Sequence, residues 1–305
     1  MRIAFISHPD CELHDTGAGH PESPARMKAV LDYLPARDIW HLLTQHEAPL
    51  ATREQLCRVH DKGYVDAVIA AEPSQGRVFL DPDTSMAPHS LNAALRAAGS
   101  VVKGVDLVMS GDSEQAFCCV RPCGHHAEVG RAMGFCLFNN VAVGARYAQD
   151  RYGLNKVAIV DFDVHHGNGT EDIFRSDPSV FFSSTFQHPF YPGSGADTRS
   201  DHIVNVPLPA GAGGDRFRAA FEERILPALN DFEPELLFIS AGFDAHNDDP
   251  LAQLCLLEED FAWATRKIKE VANAHGKGRL ISVLEGGYNL PALARSVEAH
   301  LQAML

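Results

Sequence analysis

Residues Lys156–His166 read KVAIVDFDVHH, a short apolar run that passes directly into two aspartates and two histidines. The apolar run is rich in β-branched residues, which predicts a buried strand. Side chains alternate in an extended chain, so Asp161, Asp163 and His165 share one side and the apolar residues between them face the other. Carboxylates on one face of a strand that leaves a buried sheet need a compensating positive charge. The stretch therefore predicts a metal cation at the end of a buried strand.

Two other segments repeat this arrangement of a strand followed by reactive side chains. Leu236–Ser240 leads to Asp244, and Leu280–Leu284 leads to Tyr288 through a glycine pair. Further strands are predicted at Arg2–Ser7, Ala116–Val120, Val180–Ser184 and Ile203–Pro207, and helices at Pro24–Leu34, Ser90–Val102, Val141–Tyr152, Asp215–Asn230 and Glu258–His275. This alternation predicts a mostly parallel sheet with helices on both faces. Ligands bind beyond the carboxyl ends of such strands, so we expect the reactive side chains to meet at one edge.

The chain as a whole indicates one α/β domain spanning residues 1–305, without internal repeats or a linker. Its formal net charge of −14 disfavours nucleic acid as a direct ligand. It contains no apolar run long enough to span a bilayer, so we expect no membrane partner. The seven cysteines include no C-x-x-C pair, and the first residues lack the apolar core of a signal peptide. These features predict a cytoplasmic location.

Asp163, His165 and Asp244 form a plausible set of metal ligands. Two carboxylates and one imidazole would leave a coordination position open for water and substrate, as in catalytic zinc sites. A structural network of ion pairs between the same residues is the alternative. No catalytic role follows from the sequence for His166.

The loop Arg121–Ala127 places two adjacent histidines, His125 and His126, directly after a predicted strand. A neutral histidine can take a proton from water, and a protonated one can donate to a leaving amine. The pair could divide these two tasks, although the doublet alone also fits a structural role. Tyr288 follows two glycines, and its hydroxyl could polarise a carbonyl group.

Taken together and in order, the motifs resemble those of the zinc-dependent histone deacetylase family. The resemblance is to its class II-like bacterial branch, which also includes acetylpolyamine amidohydrolases. It covers nearly the whole chain, through the segments Gly19–Arg26, Arg121–Glu128, Gly134–Asn140, Asp161–Thr170, Tyr191–Gly195, Ser240–Asp249 and Glu285–Leu290.

The resemblance implies the arginase/deacetylase fold, a three-layer α/β/α domain with a central, mostly parallel sheet of about eight strands. It also implies that Asp163, His165 and Asp244 bind zinc, with iron as an alternative native metal. By motif position, His125 and His126 would be the acid/base pair, Tyr288 the carbonyl-polarising phenol, and Asp161 a residue that orients His125. Asp161 and Ser184 would also help to bind a structural potassium ion.

Four further positions bear on the substrate and on the histidine pair. Gly134 and Phe135 resemble the segment that lines one side of the substrate tunnel, and Tyr191 holds the opposite aromatic position, where many relatives have Phe. Asn168 stands where class I relatives have Asp. His126 would thereby lack a carboxylate partner, which favours it as the proton acceptor.

The predicted function is zinc-dependent hydrolysis of an acetamide on a lysine side chain or on a small amine such as a polyamine. Two alternative functions predict different site residues. A ureohydrolase of the same fold would need two manganese ions and a second set of ligands. A non-catalytic protein that binds acyl amines would typically have lost a ligand or the tyrosine. The sequence leaves the formation of a homo-oligomer open.

Overall fold

The computed structural model describes residues 3–305. Its main strands are β1 (Ile3–Ser7), β2 (Leu43–Glu47), β5 (Gln115–Cys118), β6 (Val157–Asp161), β7 (Val180–Gln187), β8 (Ile203–Leu208), β9 (Leu236–Ala241) and β10 (Leu280–Leu284), with β3 (Val78–Asp81) and β4 (Thr84–Met86) in a separate hairpin. The main strands form one sheet in the order β2-β1-β5-β10-β9-β6-β7-β8, and every neighbouring pair is parallel. The predicted parallel sheet of about eight strands is therefore confirmed.

The helices cover both faces of this sheet. They are α1 (Ala25–Tyr33), α2 (Arg53–Leu56), α3 (Lys62–Ala70), α4 (Ser90–Ser110), α5 (Asn140–Tyr152), α6 (Asn168–Phe174), α7 (Gly214–Ala220), α8 (Leu226–Phe232), α9 (Glu258–His275) and α10 (Leu290–Met304). Helices α3 to α6 contribute to one apolar core, and α1 and α7 to α10 contribute to the other. Within residues 3–305, no helix is both long and apolar enough to cross a membrane.

Strand β6 shows why the central strands have apolar residues at successive positions. Val157 and Ile159 lie in one core, whereas Ala158 and Val160 lie in the other. A strand buried on both faces needs apolar residues at successive positions, and its sequence does not alternate with polar ones. The sequence pattern of β6 therefore reflects its place inside a three-layer fold.

Several predicted boundaries differ from the structure. The helix predicted at Asp215–Asn230 begins at Gly214 and contains a π-helical turn at Phe221–Ile225. Pro227, at the start of α8, has no N–H to donate to the preceding turn, which accounts for the interruption. Helix α4 continues to Ser110, eight residues beyond the predicted end at Val102. Arg2, the first residue of one predicted strand, lies outside the described residues.

A buried group of charges joins three distant segments near the carboxyl edge of the sheet. Glu22 accepts hydrogen bonds from Nε of Arg121 at 2.5 Å and from Nη2 of Arg121 at 2.7 Å. It also contacts Nη1 of Arg26 at 3.2 Å, and all three side chains are fully buried. The Arg26 guanidinium in turn donates to the carbonyl oxygens of Glu285 and Gly287. Glu22 thus fixes the N-terminal segment to the histidine loop and to the end of β10.

We expect Glu22→Gln to lower the free energy of unfolding by roughly 3–5 kcal/mol, because it leaves two buried arginines without a negative charge. Urea denaturation followed by circular dichroism measures this change. Asp66→Asn is the matched control, since Asp66 also makes a paired contact with an arginine, Arg53, but on the exposed surface. Its stability should stay close to that of the wild type. Equal midpoints for the two variants would contradict the proposed role of Glu22.

Candidate metal centre and active site

The side chains that follow β6 and β9 converge at the carboxyl edge of the sheet. These two strands are neighbours, so Asp163 and His165 after β6 face Asp244 after β9. One potential ligand atom from each of the three residues lies within 4.8 Å of the others. Nδ1 of His165 is 3.0 Å from Oδ1 of Asp163 and 3.2 Å from Oδ2 of Asp244. The structure therefore brings together the three residues that the sequence suggested.

Two glycines make room for these carboxylates. A Cβ atom on Gly242 would lie 2.0 Å from Oδ2 of Asp163, and one on Gly286 would lie 2.1 Å from Oδ2 of Asp244. Both distances are far below van der Waals contact, so any other residue would displace a carboxylate. The N–H of Gly286 also donates to Oδ2 of Asp163 at 2.9 Å. The glycines of these two loops thus shape the cluster.

The cluster favours a positive charge. Burial alone would lower the pKa of His165, but the contacts with Asp163 and Asp244 outweigh it and raise that pKa to about 10. Oδ2 of Asp244 is buried, and although it lies near His165 it has no aligned hydrogen-bond partner among residues 3–305. A divalent metal ion would replace the proton of His165, because a metal binds neutral imidazole and ionised carboxylates. The oxygen, nitrogen and oxygen donors therefore fit a catalytic zinc ion.

The two adjacent histidines have different partners. Nδ1 of His125 lies 2.9 Å from Oδ2 of Asp161, whereas Nδ1 of His126 lies 2.7 Å from Oδ1 of Asn168. Both partners are oxygen acceptors, so each Nδ1 carries the hydrogen and each Nε2 is left for other chemistry. The centroids of the two rings are 4.0 Å apart. Of two adjacent histidines in one loop, His125 thus has a charged partner and His126 an uncharged one.

These environments shift the two pKa values in opposite directions. Burial opposes the charged form of His125, but the carboxylates of Asp163 and Asp161 outweigh it and raise the pKa of His125 well above its ordinary value. Burial lowers the pKa of His126, and the neighbouring His125 and His165 lower it further. Of the two imidazoles, His125 therefore has the higher pKa and is the one that favours the protonated form.

Glu285 holds the histidine loop against the end of β10, a contact that the sequence did not reveal. Its buried Oε2 accepts the N–H of Gly124 at 2.7 Å and the N–H of His125 at 3.2 Å. Its Oε1 accepts the hydroxyl of Ser240 at 3.1 Å. The carboxylate thereby fixes the backbone from which both imidazoles extend.

Tyr288 is fixed from two sides. Oδ2 of Asp249 accepts its backbone N–H at 2.7 Å, and the guanidinium of Arg26 lies over its ring at 5.0 Å from the centroid. Burial raises the pKa of Tyr288 well above its ordinary value, and the nearby Cys123 and Asp244 raise it further. The phenol therefore keeps its proton and can donate a hydrogen bond.

A cavity of about 100 Å³ leads to these groups, and it is lined by Asp83, Cys123, His125, His126, Gly134, Phe135, His165, Tyr191, Leu251 and Tyr288. The three residues predicted to line a tunnel are among them. Gly134 has a φ of +57° and lies so close to His126 that a Cβ would be 2.3 Å from its ring. The ring of Tyr191 meets that of His126 edge-on, at 5.2 Å between centroids.

Asp83 is a lining residue that the sequence analysis missed. It lies between β3 and β4, and its Oδ1 accepts the N–H of Gly134 at 2.9 Å. Burial raises the pKa of the Tyr191 phenol, and the Asp83 carboxylate raises it further. The Asp81-Pro82-Asp83 sequence indicates a turn, but not that this turn reaches the cavity.

His166 anchors the loop that carries Tyr191. Its Nδ1 lies 2.9 Å from Oγ of Ser194, and its Nε2 lies 2.8 Å from Oε2 of Glu171. Asn205 on β8 donates to the same Glu171 oxygen at 2.7 Å and to the carbonyl of Gly195 at 3.0 Å. His166 therefore faces away from the metal ligands and fixes one wall of the cavity.

Comparison with known proteins identifies the same fold and family over nearly the whole chain. Residues 20–304 match the model of the histone deacetylase domain. The chain is 37% identical to histone deacetylase 14, chloroplastic, of Arabidopsis thaliana, over 94% of this chain and 73% of that protein. It is also 37% identical to the histone deacetylase-like amidohydrolase of Pseudomonas aeruginosa, over 89% and 73% of the two chains. The crystal structure of the HDA15 HD domain superposes with a TM-score of 0.93 at 34% identity, over 99% of this chain and 88% of that one.

We expect the wild-type protein to bind about one zinc ion per chain, because it brings together one three-residue ligand set with an open position. Mass spectrometry of metals after dialysis measures the stoichiometry. Asp244→Asn should lose most of the bound zinc, since a neutral amide is a poor ligand. Asp248→Asn, which changes a more exposed aspartate of the same loop, should bind zinc as the wild type does. Two manganese ions per chain would contradict a single-metal centre.

Proposed function

This chain belongs to the histone deacetylase family and is a deacetylase, and from this premise we propose that it hydrolyses the acetamide of an acetylated lysine side chain or small amine. One observation supports the proposal most strongly. The open set of Asp163, His165 and Asp244 lies at a cavity that is also lined by a phenol and by two histidines with different hydrogen-bond partners. Metal-assisted amide hydrolysis uses four functions, namely a Lewis acid, a proton acceptor, a proton donor and a donor to the developing oxyanion.

We assign Asp163, His165 and Asp244 as the zinc ligands. Zinc bound there would polarise the acetamide carbonyl and lower the pKa of water. The buried Oδ2 of Asp244, which has no aligned hydrogen-bond donor among residues 3–305, and the space left by Gly242 and Gly286 support this assignment.

The two histidines would handle the protons. His126 is neutral, and its Nε2 is free to accept a proton from the attacking water. His125 is held in its protonated form by Asp163 and Asp161, so its Nε2–H can donate to the leaving nitrogen. Proton transfer to that nitrogen lets the amine depart as the C–N bond breaks.

Tyr288 would donate its hydroxyl proton in a hydrogen bond to the acetamide oxygen. Its raised pKa keeps that proton in place, and Arg26 and Asp249 hold the residue beside the cavity. Negative charge builds on the oxygen only as water attacks, so the bond strengthens in the transition state.

We expect Tyr288→Phe to lower kcat by roughly 10²–10³, as loss of an oxyanion donor does. The measurement is steady-state hydrolysis of an acetyl-lysine peptide, with zinc content checked in parallel. Tyr147→Phe is the control, because the Tyr147 hydroxyl bonds Asp106 on α4 and does not line the cavity. Its kcat should equal that of the wild type. Full kcat in Tyr288→Phe would make the assignment of the phenol wrong.

We further propose that Asp161 and Ser184 contribute to a structural potassium site. The two residues are paired across β6 and β7, and both are fully buried. Oγ of Ser184 has no hydrogen-bond partner in the described part of the chain, as expected of an oxygen that binds a cation. A cation there would also stabilise the Asp161 carboxylate in the orientation that His125 needs.

The size and charge of the cavity suggest the substrate class. A volume of about 100 Å³ between Phe135 and Tyr191 suits a narrow chain that carries a short acyl group. The Asp83 carboxylate among the lining residues suits an amine-bearing chain. Both acetyl-lysine and acetylated polyamines meet these conditions.

A comparison of kcat/KM for acetylated polyamines, acetyl-lysine peptides and longer acyl amides tests this proposal. We expect acetyl amides to exceed longer acyl chains, because the cavity is small and closed by aromatic rings. Asp83→Asn should reduce kcat/KM more for a cationic acetylpolyamine than for a neutral acetamide. Activity restricted to esters or guanidines would contradict the proposed reaction.

A further inference from the structure

We propose that Glu128 is a positioning residue that fixes the amide of Asn168 and thereby selects the nitrogen with which His126 accepts a proton. This inference rests on the proposed function of His126. It concerns three side chains, His126, Asn168 and Glu128, which are hydrogen-bonded to one another in that order.

The hydrogen bonds between these three side chains are short. Nδ1 of His126 lies 2.7 Å from Oδ1 of Asn168. Nδ2 of Asn168 donates to Oε1 of Glu128 at 2.8 Å and also contacts Sδ of Met133 at 3.3 Å. His126 and Asn168 are buried, and Glu128 is partly buried. The sequence suggested that His126 lacks a direct carboxylate partner. In the structure, the carboxylate of Glu128 contacts the other end of the Asn168 amide.

An asparagine can present either its oxygen or its NH₂ group to a neighbour, and the two choices have opposite consequences here. With the oxygen towards His126, the hydrogen of the imidazole resides on Nδ1 and the lone pair on Nε2. With the NH₂ group towards His126, Nδ1 must accept, so the hydrogen moves to Nε2. In that tautomer Nε2 has no lone pair with which to take a proton from water.

Glu128 decides between the two orientations. An ionised carboxylate only accepts hydrogen bonds, so it requires the NH₂ group of Asn168 on its own side. The reversed amide would place its oxygen against Oε1 of Glu128, two acceptors at hydrogen-bond distance. The amide oxygen is therefore directed to His126, and Nε2 keeps its lone pair.

The backbone holds Glu128 and Asn168 in position for this contact. The N–H of Glu128 donates to the carbonyl of Arg131 at 2.9 Å, and its carbonyl lies 2.9 Å from Nδ1 of His60. At the start of α6, the N–H of Gly169 donates to the carbonyl of His125 at 3.0 Å. The helix that carries Asn168 is thus tied directly to the histidine loop.

The intervening amide also separates the charge of Glu128 from the imidazole. Nδ1 of His125 contacts the carboxylate of Asp161 directly, whereas Nδ1 of His126 contacts a neutral amide oxygen. Glu128 therefore orients His126 without stabilising its imidazolium as a direct partner would.

The test compares Glu128→Leu with Glu128→Gln. Leu cannot accept from Asn168, so we expect kcat for an acetyl-lysine peptide to fall roughly 10-fold or more, within the range of a general base, with KM nearly unchanged. The Gln side chain can turn its carbonyl oxygen to Asn168, so Glu128→Gln should recover most of kcat. Asp172→Ala is the control, because Asp172 accepts the N–H of Val129 in the same loop but does not contact Asn168. Its kcat should stay close to the wild-type value.

A second measurement observes the tautomer without any substrate. Long-range ¹H–¹⁵N spectra of the zinc-loaded protein should show His126 with its hydrogen on Nδ1 in the wild type and in Glu128→Gln. In Glu128→Leu we expect a substantial fraction with the hydrogen on Nε2. Wild-type kcat and an unchanged tautomer in Glu128→Leu would overturn the inference, as would an equal loss of kcat in Asp172→Ala. If the wild type hydrolysed no acyl amide, the proposed function would fail, and the spectra would still decide the role of Glu128.

Discussion

The burial of carboxylates at the carboxyl edge of the sheet is the constraint on which the rest of the site depends. Asp161, Asp163, Asp244 and Glu285 all have no more than 1% of their surface exposed. An isolated buried carboxylate costs several kcal/mol, so each needs a positive or hydrogen-donating partner. Asp161 has His125, Glu285 has the backbone N–H groups of the histidine loop, and Asp163 and Asp244 converge on His165. Two of the groups that compensate this charge, His125 and His165, are also groups to which we assign roles in the proposed reaction.

The same constraint explains why two adjacent histidines differ. Both rings are buried, and burial by itself would keep both neutral. Direct contact with Asp161 and proximity to Asp163 reverse this preference for His125 only. Nδ1 of His126, one residue later, contacts the amide oxygen of Asn168, and the neighbouring His125 lowers the pKa of His126 further. The proposed proton donor and proton acceptor are therefore the same residue type, and they differ because Nδ1 of one contacts a carboxylate and Nδ1 of the other contacts an amide oxygen.

The sequence predicted those parts of the molecule that depend on local patterns. The strands preceding Asp163, Asp244 and Tyr288 are continuous apolar runs, and the rule that parallel strands end at one edge brings their following residues together. Strand β2 was missed because it lies at the edge of the sheet, and its sequence LTQHE is largely exposed. Helix α10 was missed although Leu293, Val297 and Leu301 repeat every four residues and are buried. That pattern was available in the sequence.

Other features had no local signal at all. Glu285 contacts the N–H of Gly124 across 161 residues of sequence, and Glu22 contacts Arg121 across 99. Neither residue type nor spacing indicates which backbone group a buried carboxylate will accept from. Asn168 was recognised as a departure from class I relatives, but its effect on His126 depends on which way the amide faces. We assign that orientation to the contact with Glu128, so the proposed role of Asn168 depends on a residue that was not among the predicted site residues.

The walls of the cavity are coupled to the catalytic groups. Gly134 packs directly on the ring of His126, and Tyr191 meets the same ring edge-on. The loop of Tyr191 is in turn anchored by His166, the residue next to His165, which we assign as a zinc ligand. A substitution of Gly134 or Tyr191 therefore also changes the packing of the His126 ring, since close-packed interiors transmit displacements. In the proposed mechanism, substrate selection and proton transfer would thus depend on shared contacts.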